Sequence, residues 1–317
     1  MTSHEITELH SRTHLVRHAS NVGARDQLYQ RAKRGEVIRV LRGCYVEASY
    51  WSSLGEGPRH RAKAHLAQLA FGDDLVFSHL TAAALWRLPI LGRWPNRVEV
   101  AGMPGRASHR SATLARHAFG IQEAHERAEG LRLTPLAVTV AHVAAAHPFA
   151  NGVVVADAAL RRATHPVAGL LSTVTTADLL TAAAAIARNR GGVRALSVAA
   201  FADGRADRPG ESVSRASIRA AGLAMPELQT ALYGATGLRY FGDFYWPSLR
   251  LIGEFDGKTK YSNPEFLRGR TPQQALLDEK AREDDLRAAG YRFCRWGWDV
   301  ALSPIRLGAL LRNAGVR

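Results

Sequence analysis

The chain has 317 residues, of which 46% are hydrophobic; this allows two or three domains with buried cores and excludes a largely disordered protein. Its formal net charge of +14 favours a polyanionic partner, most simply nucleic acid. Cys44 and Cys294 are too far apart in sequence to indicate a zinc motif or a disulfide framework, and neither a secretory leader nor a membrane-spanning apolar run is visible, so we expect a cytoplasmic protein without a membrane partner.

Two segments rich in helix- and strand-breaking residues divide the chain into predicted domains. They are residues 52–58, which end in Gly-Glu-Gly-Pro, and residues 203–210, which end in Arg-Pro-Gly. We therefore expect domains at 1–57, 58–204 and 205–317. Helical and strand patterns occur in all three, which predicts an α/β fold, α+β overall.

The first domain carries a basic helix followed directly by a basic hairpin. A helix is predicted at 24–34 with Gly35 after its end, and two strands within 37–46 turn near Gly43. This order is that of a winged helix-turn-helix, whose helix enters the major groove of DNA. An alternative is a small α/β cap with solvated arginines. The predicted DNA-contacting residues are Arg25, Arg31, Lys33, Arg34, Arg39 and Arg42.

Histidines also recur in this domain and in the apolar middle region, predicted to be a mixed α/β domain. His10, His14 and His18 have the four-residue spacing of one helix face, but no acidic or cysteine ligand accompanies them, so a polar stripe is favoured over a metal site. His79 and Asp157 lie within apolar patterns, and no nucleophile has a matching signature. We therefore assign these two side chains structural roles.

The carboxylates of the last domain fall on a predicted β-hairpin formed by residues 238–246 and 249–255. This pairing sets Asp243 roughly opposite Glu254, and Glu254 and Asp256 point to the same side. Clustered carboxylates repel one another unless a cation lies between them, and oxygen ligands suit Mg²⁺ or Mn²⁺. Lys258 or Lys260 would then neutralise charge on a bound phosphate.

Predicted helices precede and follow the hairpin along the chain. Glu211 lies in the first turn of a helix near 211–222, where favourable interaction with the helix dipole is by itself an adequate reason for a carboxylate. The charged helix at 276–290 carries Lys280 and Arg282, which could face the same site, although a solvated helix face explains them equally well. A strand follows at 291–296.

These residues resemble those of the PD-(D/E)XK nuclease superfamily, in the branch similar to very-short-patch-repair (Vsr-like) endonucleases. The resemblance covers about the last 110 residues and is carried by Glu211, Asp243, the run Glu254-Phe-Asp-Gly, the run Glu279-Lys-Ala-Arg-Glu-Asp and the strand around Arg295. It implies a restriction-endonuclease-like domain in which Asp243, Glu254 and Glu211 bind Mg²⁺ or Mn²⁺ and DNA phosphodiesters are hydrolysed. The superfamily's usual lysine position is Asp256 here, so Lys258 or Lys260 would have to supply the cation.

The first two domains resemble AbiEi-type antitoxins of toxin–antitoxin systems. The resemblance is carried by the helix at 24–34, the strands at 37–46, the run 77–86 and the run 157–161. It implies DNA binding by the winged helix and repression of the protein's own operon. A cognate toxin, or another protein bound through the middle domain, is an implied alternative partner.

Together these features predict a DNA-binding protein with a metal-dependent endonuclease-like domain. The alternative is an AbiEi-like transcriptional regulator or antitoxin whose nuclease fold binds DNA without cleaving it. A third reading is a scaffold or toxin-neutralising protein that acts through its middle domain.

Overall fold

The computed structural model of the chain describes residues 1–19, 21–102, 109–118, 125–257 and 271–317. These residues form 13 α-helices and three β-sheets, which have three, six and four strands. The predicted mixed α/β class is confirmed at this level, whereas the assignment of each part to a known domain type stays a prediction. Among the described helices, none has both the length and the apolar character that crossing a lipid bilayer requires.

The described chain divides into two compact units. The first comprises Met1–Pro148 and Arg162–Phe201, and the second comprises Phe149–Arg161 and Ala202–Arg317. The segment Phe149–Arg161 thus packs with the C-terminal part of the chain although a stretch of the first unit follows it. The domain boundaries expected after residues 57 and 204 stay predictions.

The first unit begins with a small three-stranded sheet and two helices. Its elements are α1 (Ser3–Ser11), β1 (Thr13–Leu15), α2 (Val22–Lys33), β2 (Val37–Leu41) and β3 (Cys44–Glu47), with strand order β1-β3-β2 and antiparallel pairing throughout. The Asn21 side chain caps α2 by accepting the Ala24 N–H at 2.8 Å. Gly35, at φ +74°, and Gly43, at φ +73°, provide the left-handed turns on either side of β2.

The histidine row of this region does not share a helix face. His10 is on α1, but α1 ends at Ser11, His14 lies on β1, and His18 lies in the short 3-10 turn that follows. The expectation of one shared face is therefore wrong. Its physical reason is that Thr13–Leu15 pairs with β3 instead of continuing the helix.

The remainder of the first unit contains a six-stranded sheet and further helices. Its helices and strands are α3 (Ala48–Ser53), α4 (Glu56–Phe71), β4 (Val76–Phe77), α5 (His79–Leu85), β5 (Val98–Ala101), β6 (His109–Arg110), β7 (Leu114–His117), β8 (Glu126–Ala128), β9 (Leu131–Leu133), α6 (Leu136–Ala146), α8 (Thr176–Ala185) and α9 (Gly192–Phe201). The helix between α6 and α8, α7 (Phe149–Arg161), belongs to the second unit. The strand order of the sheet is β6-β7-β5-β4-β9-β8. The fully buried His79 ring stacks between His117, at 3.8 Å, and His142, at 4.7 Å between ring centroids.

The second unit contains a four-stranded sheet with helices around it. Its elements are α7 (Phe149–Arg161), α10 (Pro209–Ala220), β10 (Glu227–Tyr233), β11 (Arg239–Trp246), β12 (Leu251–Phe255), α11 (Pro272–Ala288), β13 (Arg292–Trp296), α12 (Trp298–Ala301) and α13 (Pro304–Asn313). The strand order is β10-β11-β12-β13; the first two pairings are antiparallel, and β13 runs parallel to β12. A parallel pairing needs a crossover connection, and α11 lies within it.

Asp157 has a structural partner in this unit. Its fully buried carboxylate binds Arg215 of α10 at 2.6 Å and accepts the backbone N–H of Asp203 at 2.8 Å. Burial raises the pKa of Asp157, while Arg215 and the hydrogen bonds oppose that rise. The ion pair therefore links α7 to α10.

Candidate functional site

The predicted site carboxylates lie on three neighbouring elements of the second unit. Asp243 is on β11, Glu254 is on β12, and Glu211 is in the first turn of α10. Phe244 pairs with Gly253, and the same antiparallel register continued by one residue sets Asp243 across from Glu254. Asp256 follows the end of β12, is exposed, and donates its backbone N–H to the carbonyl of Trp296 at 2.9 Å.

The Asp243 carboxylate is oriented by the end of β12. Its Oδ2 accepts a hydrogen bond from the backbone N–H of Phe255 at 3.1 Å. This bond fixes the carboxylate beside the peptide that directly follows Glu254. It also spans from β11 to β12, so the geometry of the hairpin itself determines where the charge of Asp243 lies.

Glu211 is buried and close to Asp243. Its Oε2 accepts the backbone N–H of Asp207 at 2.8 Å and the side-chain amide of Gln229 at 3.2 Å, and the residue is 3% exposed. Burial and then the negative charge of Asp243 raise the pKa of Glu211 to about 8, although both hydrogen bonds favour the charged form. Near neutral pH the Glu211 carboxyl group is therefore mostly protonated.

Gly210 explains how α10 approaches β12 so closely. A Cβ at this position would overlap the ring of Phe255, so only glycine allows the first turn of α10 to lie on that side chain. Pro209 precedes it at the first helical position, where its fixed φ favours helix initiation. Local sequence therefore positions Glu211 at the edge of the hairpin.

Glu254 has a different environment, because both of its oxygens bind arginines. Its Oε1 pairs with Arg282 of α11, and its Oε2 accepts the Nε of Arg295 of β13 at 2.8 Å. The residue is 7% exposed, so its charge is removed from water and compensated within the protein. Arg295 is also its direct neighbour in the parallel β12–β13 register.

The two arginines belong to a larger charged network on α11 and β13. Glu279 Oε1 accepts from Arg282 at 2.7 Å and from Arg295 at 2.8 Å, and Glu283 lies 2.9 Å from Arg295. Arg295 is part of the nuclease resemblance seen in the sequence, but its bond to Glu254 is not predicted there. No local signal in the sequence indicates this bond, because the pairing of β13 with β12 is a tertiary contact.

The lysines expected at this site are not part of that network. Lys258 and Lys260 lie outside the described residues, so their prediction stays untested. Lys280 is exposed on α11, and Arg282, two residues further, reaches Glu254. The cations that contact the acidic hairpin in the described part of the chain are therefore arginines.

A divalent metal ion would fit the Glu211–Asp243 pair better than it would fit Glu254. Within the described ranges, no group of three or more His, Cys, Asp or Glu side chains is arranged to hold a metal ion. The Glu211–Asp243 pair nevertheless offers oxygen ligands whose mutual repulsion a cation would relieve, and Mg²⁺ is commonly held by one or two carboxylates. Glu254 fits less well, because Arg282 and Arg295 occupy its two oxygens.

The predicted DNA-contacting residues of the first unit are mostly exposed. Arg25 and Lys33 are exposed on α2, Arg39 is exposed on β2, and Arg42 is exposed in the turn before β3. Two others are compensated by one carboxylate: Arg31 and Arg34 bind Glu36 at 3.2 and 2.5 Å. Among the residues that the structure describes, no ion pair involves Arg25, Lys33, Arg39 or Arg42, so these four carry the uncompensated charge of this surface.

No family model and no solved structure matches the chain. Two proteins of Mycobacterium tuberculosis are similar to it, one from strain CDC 1551 / Oshkosh and one from strain ATCC 25618 / H37Rv, and both are described as uncharacterized. Each is 28% identical over 249 residues, which cover 78% of this chain and 84% of the relative. The similarity therefore extends over most of both proteins.

Proposed function

We propose that this protein binds DNA and that its C-terminal part hydrolyses phosphodiester bonds with Mg²⁺ or Mn²⁺. The observation that carries the proposal is the Glu211–Asp243 pair, in which burial and a neighbouring negative charge raise the pKa of Glu211 to about 8. Strongly perturbed carboxyl groups cluster at functional sites more often than elsewhere. The element order helix, three strands, helix, strand supports the same proposal, because it agrees with the nuclease resemblance.

A divalent cation at this pair would neutralise charge on a bound phosphate and lower the pKa of a water molecule. Asp243 is held in place for such a ligand by the Phe255 N–H. Glu211 holds a proton near neutral pH and must release it before both carboxylates are charged. Arg282 and Arg295 supply positive charge beside Glu254, where planar guanidinium groups can bind phosphate oxygens.

DNA would be positioned by the first unit. The exposed side chains Arg25, Lys33, Arg39 and Arg42 lie on a helix followed by a hairpin, and their charges suit phosphate contacts. Such contacts orient a duplex without reading its sequence. A cognate toxin, or another protein bound through the middle region, remains an additional proposed partner, and the cytoplasm is the proposed location.

A second candidate is a DNA-binding regulator that does not cleave. The observation that favours it is Glu254, whose two oxygens are both bound by arginines in this structure. A carboxylate held in this way stabilises the fold and is a poor metal ligand. In this alternative the C-terminal part only binds DNA.

A plasmid-cleavage assay separates these candidates. Supercoiled plasmid is incubated with the wild type in Mg²⁺, in Mn²⁺ and in EDTA, beside Asp243→Asn, Glu254→Ala and the control Glu227→Gln, an exposed acid on β10. The nuclease proposal predicts ion-dependent cleavage that Asp243→Asn abolishes and Glu227→Gln preserves. Binding without cleavage in either ion would support the regulator. Cleavage that persists undiminished in both Asp243→Asn and Glu254→Ala would show that the site is wrongly assigned or that a contaminating nuclease is present.

A further inference from the structure

A cleft in the first unit has the composition of a nucleotide-binding site. It has a volume of about 400 Å³ and lies between β2, α3, α4 and the segment that precedes β5. Ligand pockets of small molecules typically measure about 300–1,000 Å³. The cleft is therefore large enough for a nucleotide, and none of its lining residues belongs to the carboxylate site of the second unit.

Positive charge dominates the lining of this cleft. The lining contains one carboxylate, that of Glu56, and four cationic side chains, those of Arg39, Arg59, Lys63 and Arg93. Within the described residues, none of the four forms an ion pair with an acidic side chain. The positive charge of these side chains is therefore available to a bound anion.

Backbone carbonyls hold two of these cations in place. Arg59 donates to the carbonyls of Trp51 and Ser52, both at 2.8 Å, and Lys63 donates to the carbonyl of Asn96 at 3.3 Å. Carbonyl oxygens orient a cation without cancelling its charge. Burial, and then the nearby Arg59, lower the pKa of Lys63, so a bound anion would relieve an existing repulsion.

Aromatic rings complete the cleft. Trp51 and Trp94 both line it and remain partly exposed, and His60 stacks on Trp94 with ring centroids 5.4 Å apart and planes 18° apart. Burial lowers the pKa of His60 to about 4, so this ring is neutral near pH 7 and adds a flat surface but no charge. Proteins commonly bind unpaired nucleotides by stacking the base on an aromatic side chain while nearby cations contact the phosphate.

We propose that this cleft binds one nucleotide unit, with its phosphate on Arg59, Lys63 and Arg93 and its base against a tryptophan. Arg39 lines the cleft and is exposed on β2, so an unpaired nucleotide of a DNA strand can reach the cleft from that surface. A free nucleotide offers the same chemistry. The inference goes beyond the proposed function, because it requires neither cleavage nor duplex contacts.

The test uses the full chain in EDTA with three probes: thymidine monophosphate, a fluorescent oligothymidylate of about ten nucleotides, and a duplex of the same length. The variants are Arg93→Glu, in the cleft, and Trp94→Leu. The control is Arg97→Glu, which makes the same charge change on an exposed arginine outside the cleft. Affinity is measured by anisotropy for the two DNA probes and by calorimetry for the monophosphate.

The proposal predicts that Arg93→Glu weakens oligothymidylate binding about tenfold or more, equivalent to ~1.4 kcal/mol, and that Arg97→Glu changes it less than about twofold. Monophosphate binding of similar strength would identify a free-nucleotide site, and binding of the oligonucleotide alone would identify a strand site. The proposal fails if neither the monophosphate nor the oligothymidylate binds. It also fails if Arg97→Glu weakens oligothymidylate binding as much as Arg93→Glu does. Wild type that binds oligothymidylate but does not bind the duplex, or does not cleave plasmid in the assay described above, would contradict only the function proposed above.

Discussion

The buried carboxyl group of Glu211 lies beside Asp243, and the charge of Asp243 helps raise its pKa to about 8. The two residues come from different elements, α10 and β11, and each is fixed by its own hydrogen bonds. Two neighbouring carboxyl groups are stable as a proton-sharing pair or with a cation between them. This relationship is the basis of the proposed metal site.

The first prediction concerns pH and stability. The folded-state pKa of Glu211 lies above its unfolded value of 4.5, so the folded protein binds more protons than the unfolded chain between about pH 4.5 and 8. Glu211 therefore contributes stability below about pH 4.5 that is lost as the pH rises through about 8. Glu211→Gln should remove this decline and make the protein more stable than the wild type at about pH 9.

Chemical denaturation across this pH range measures the effect as a difference between wild type and variant. The difference is needed because buried histidines such as His142, whose pKa burial lowers to about 4, change the stability of both proteins equally. Glu227→Gln is the matched control, since Glu227 is exposed. Parallel stability curves for wild type and Glu211→Gln would contradict the raised pKa.

The second prediction concerns the arginines around Glu254. Arg282→Gln should reduce the free energy of unfolding by about 2 kcal/mol, because it leaves a buried carboxylate with one of its two cationic partners. The double variant with Glu254→Gln should recover part of this loss. Arg287→Gln is the control on the same helix; its side chain is 52% exposed and pairs with Glu283, so its loss should cost less than about 1 kcal/mol. Equal effects of the two arginine changes would argue against a special role for Glu254.

The third prediction concerns salt dependence of DNA binding. Replacing Lys33 and Arg42 with alanine removes two exposed cations from α2 and the hairpin turn, and avoids Arg39, which also lines the cleft. If both contact phosphates, the slope of log affinity against log salt concentration should fall by about 1.8. The double variant Arg188→Ala with Arg190→Ala removes the same charge from exposed positions elsewhere in this unit. A slope that changes equally in both double variants would remove the winged-helix proposal.

The fourth prediction concerns Glu36, the carboxylate that pairs with two arginines of the same surface. Glu36 binds Arg31 at 3.2 Å and Arg34 at 2.5 Å, so it competes with phosphate for both guanidinium groups. Glu36→Gln should therefore strengthen DNA binding by roughly two- to fivefold at low salt, and the gain should shrink as salt is added. Glu227→Gln, at an exposed position outside the cleft, is a control with the same charge change. Unchanged affinity in Glu36→Gln would show that DNA does not approach these arginines.

Local sequence signals were sufficient for much of the fold. Gly35 and Gly43 mark the ends of β2 because their positive φ values suit glycine, and the two strand-like runs at 238–246 and 249–255 predict the hairpin. For the first strand of the sheet, β10, the run 223–229 predicts a turn that leads into a strand, and the observed strand extends from Glu227 to Tyr233. Only two of its seven residues, Leu228 and Leu232, are buried, so it lacks the clear alternation of a half-buried strand.

The partners of the site residues could not be predicted in the same way. Arg282 and Arg295 are 28 and 41 residues from Glu254 along the chain, and only the packing of α11 and β13 brings them together. The cationic cleft likewise collects Arg39, Arg59 and Arg93 from separate segments. No local pattern encodes such contacts, since they depend on tertiary structure.

The most direct test of the central claim is calorimetric titration of the full chain with Mn²⁺ at about pH 7, in buffers of different ionisation enthalpy. If the ion binds the Glu211–Asp243 pair, wild type should bind it and release about one proton, because Glu211 is protonated beforehand. Glu211→Gln should abolish the proton release, and Asp243→Asn should abolish or greatly weaken binding. No Mn²⁺ binding by the wild type, or binding with the same proton release in Glu211→Gln, would contradict the proposed site.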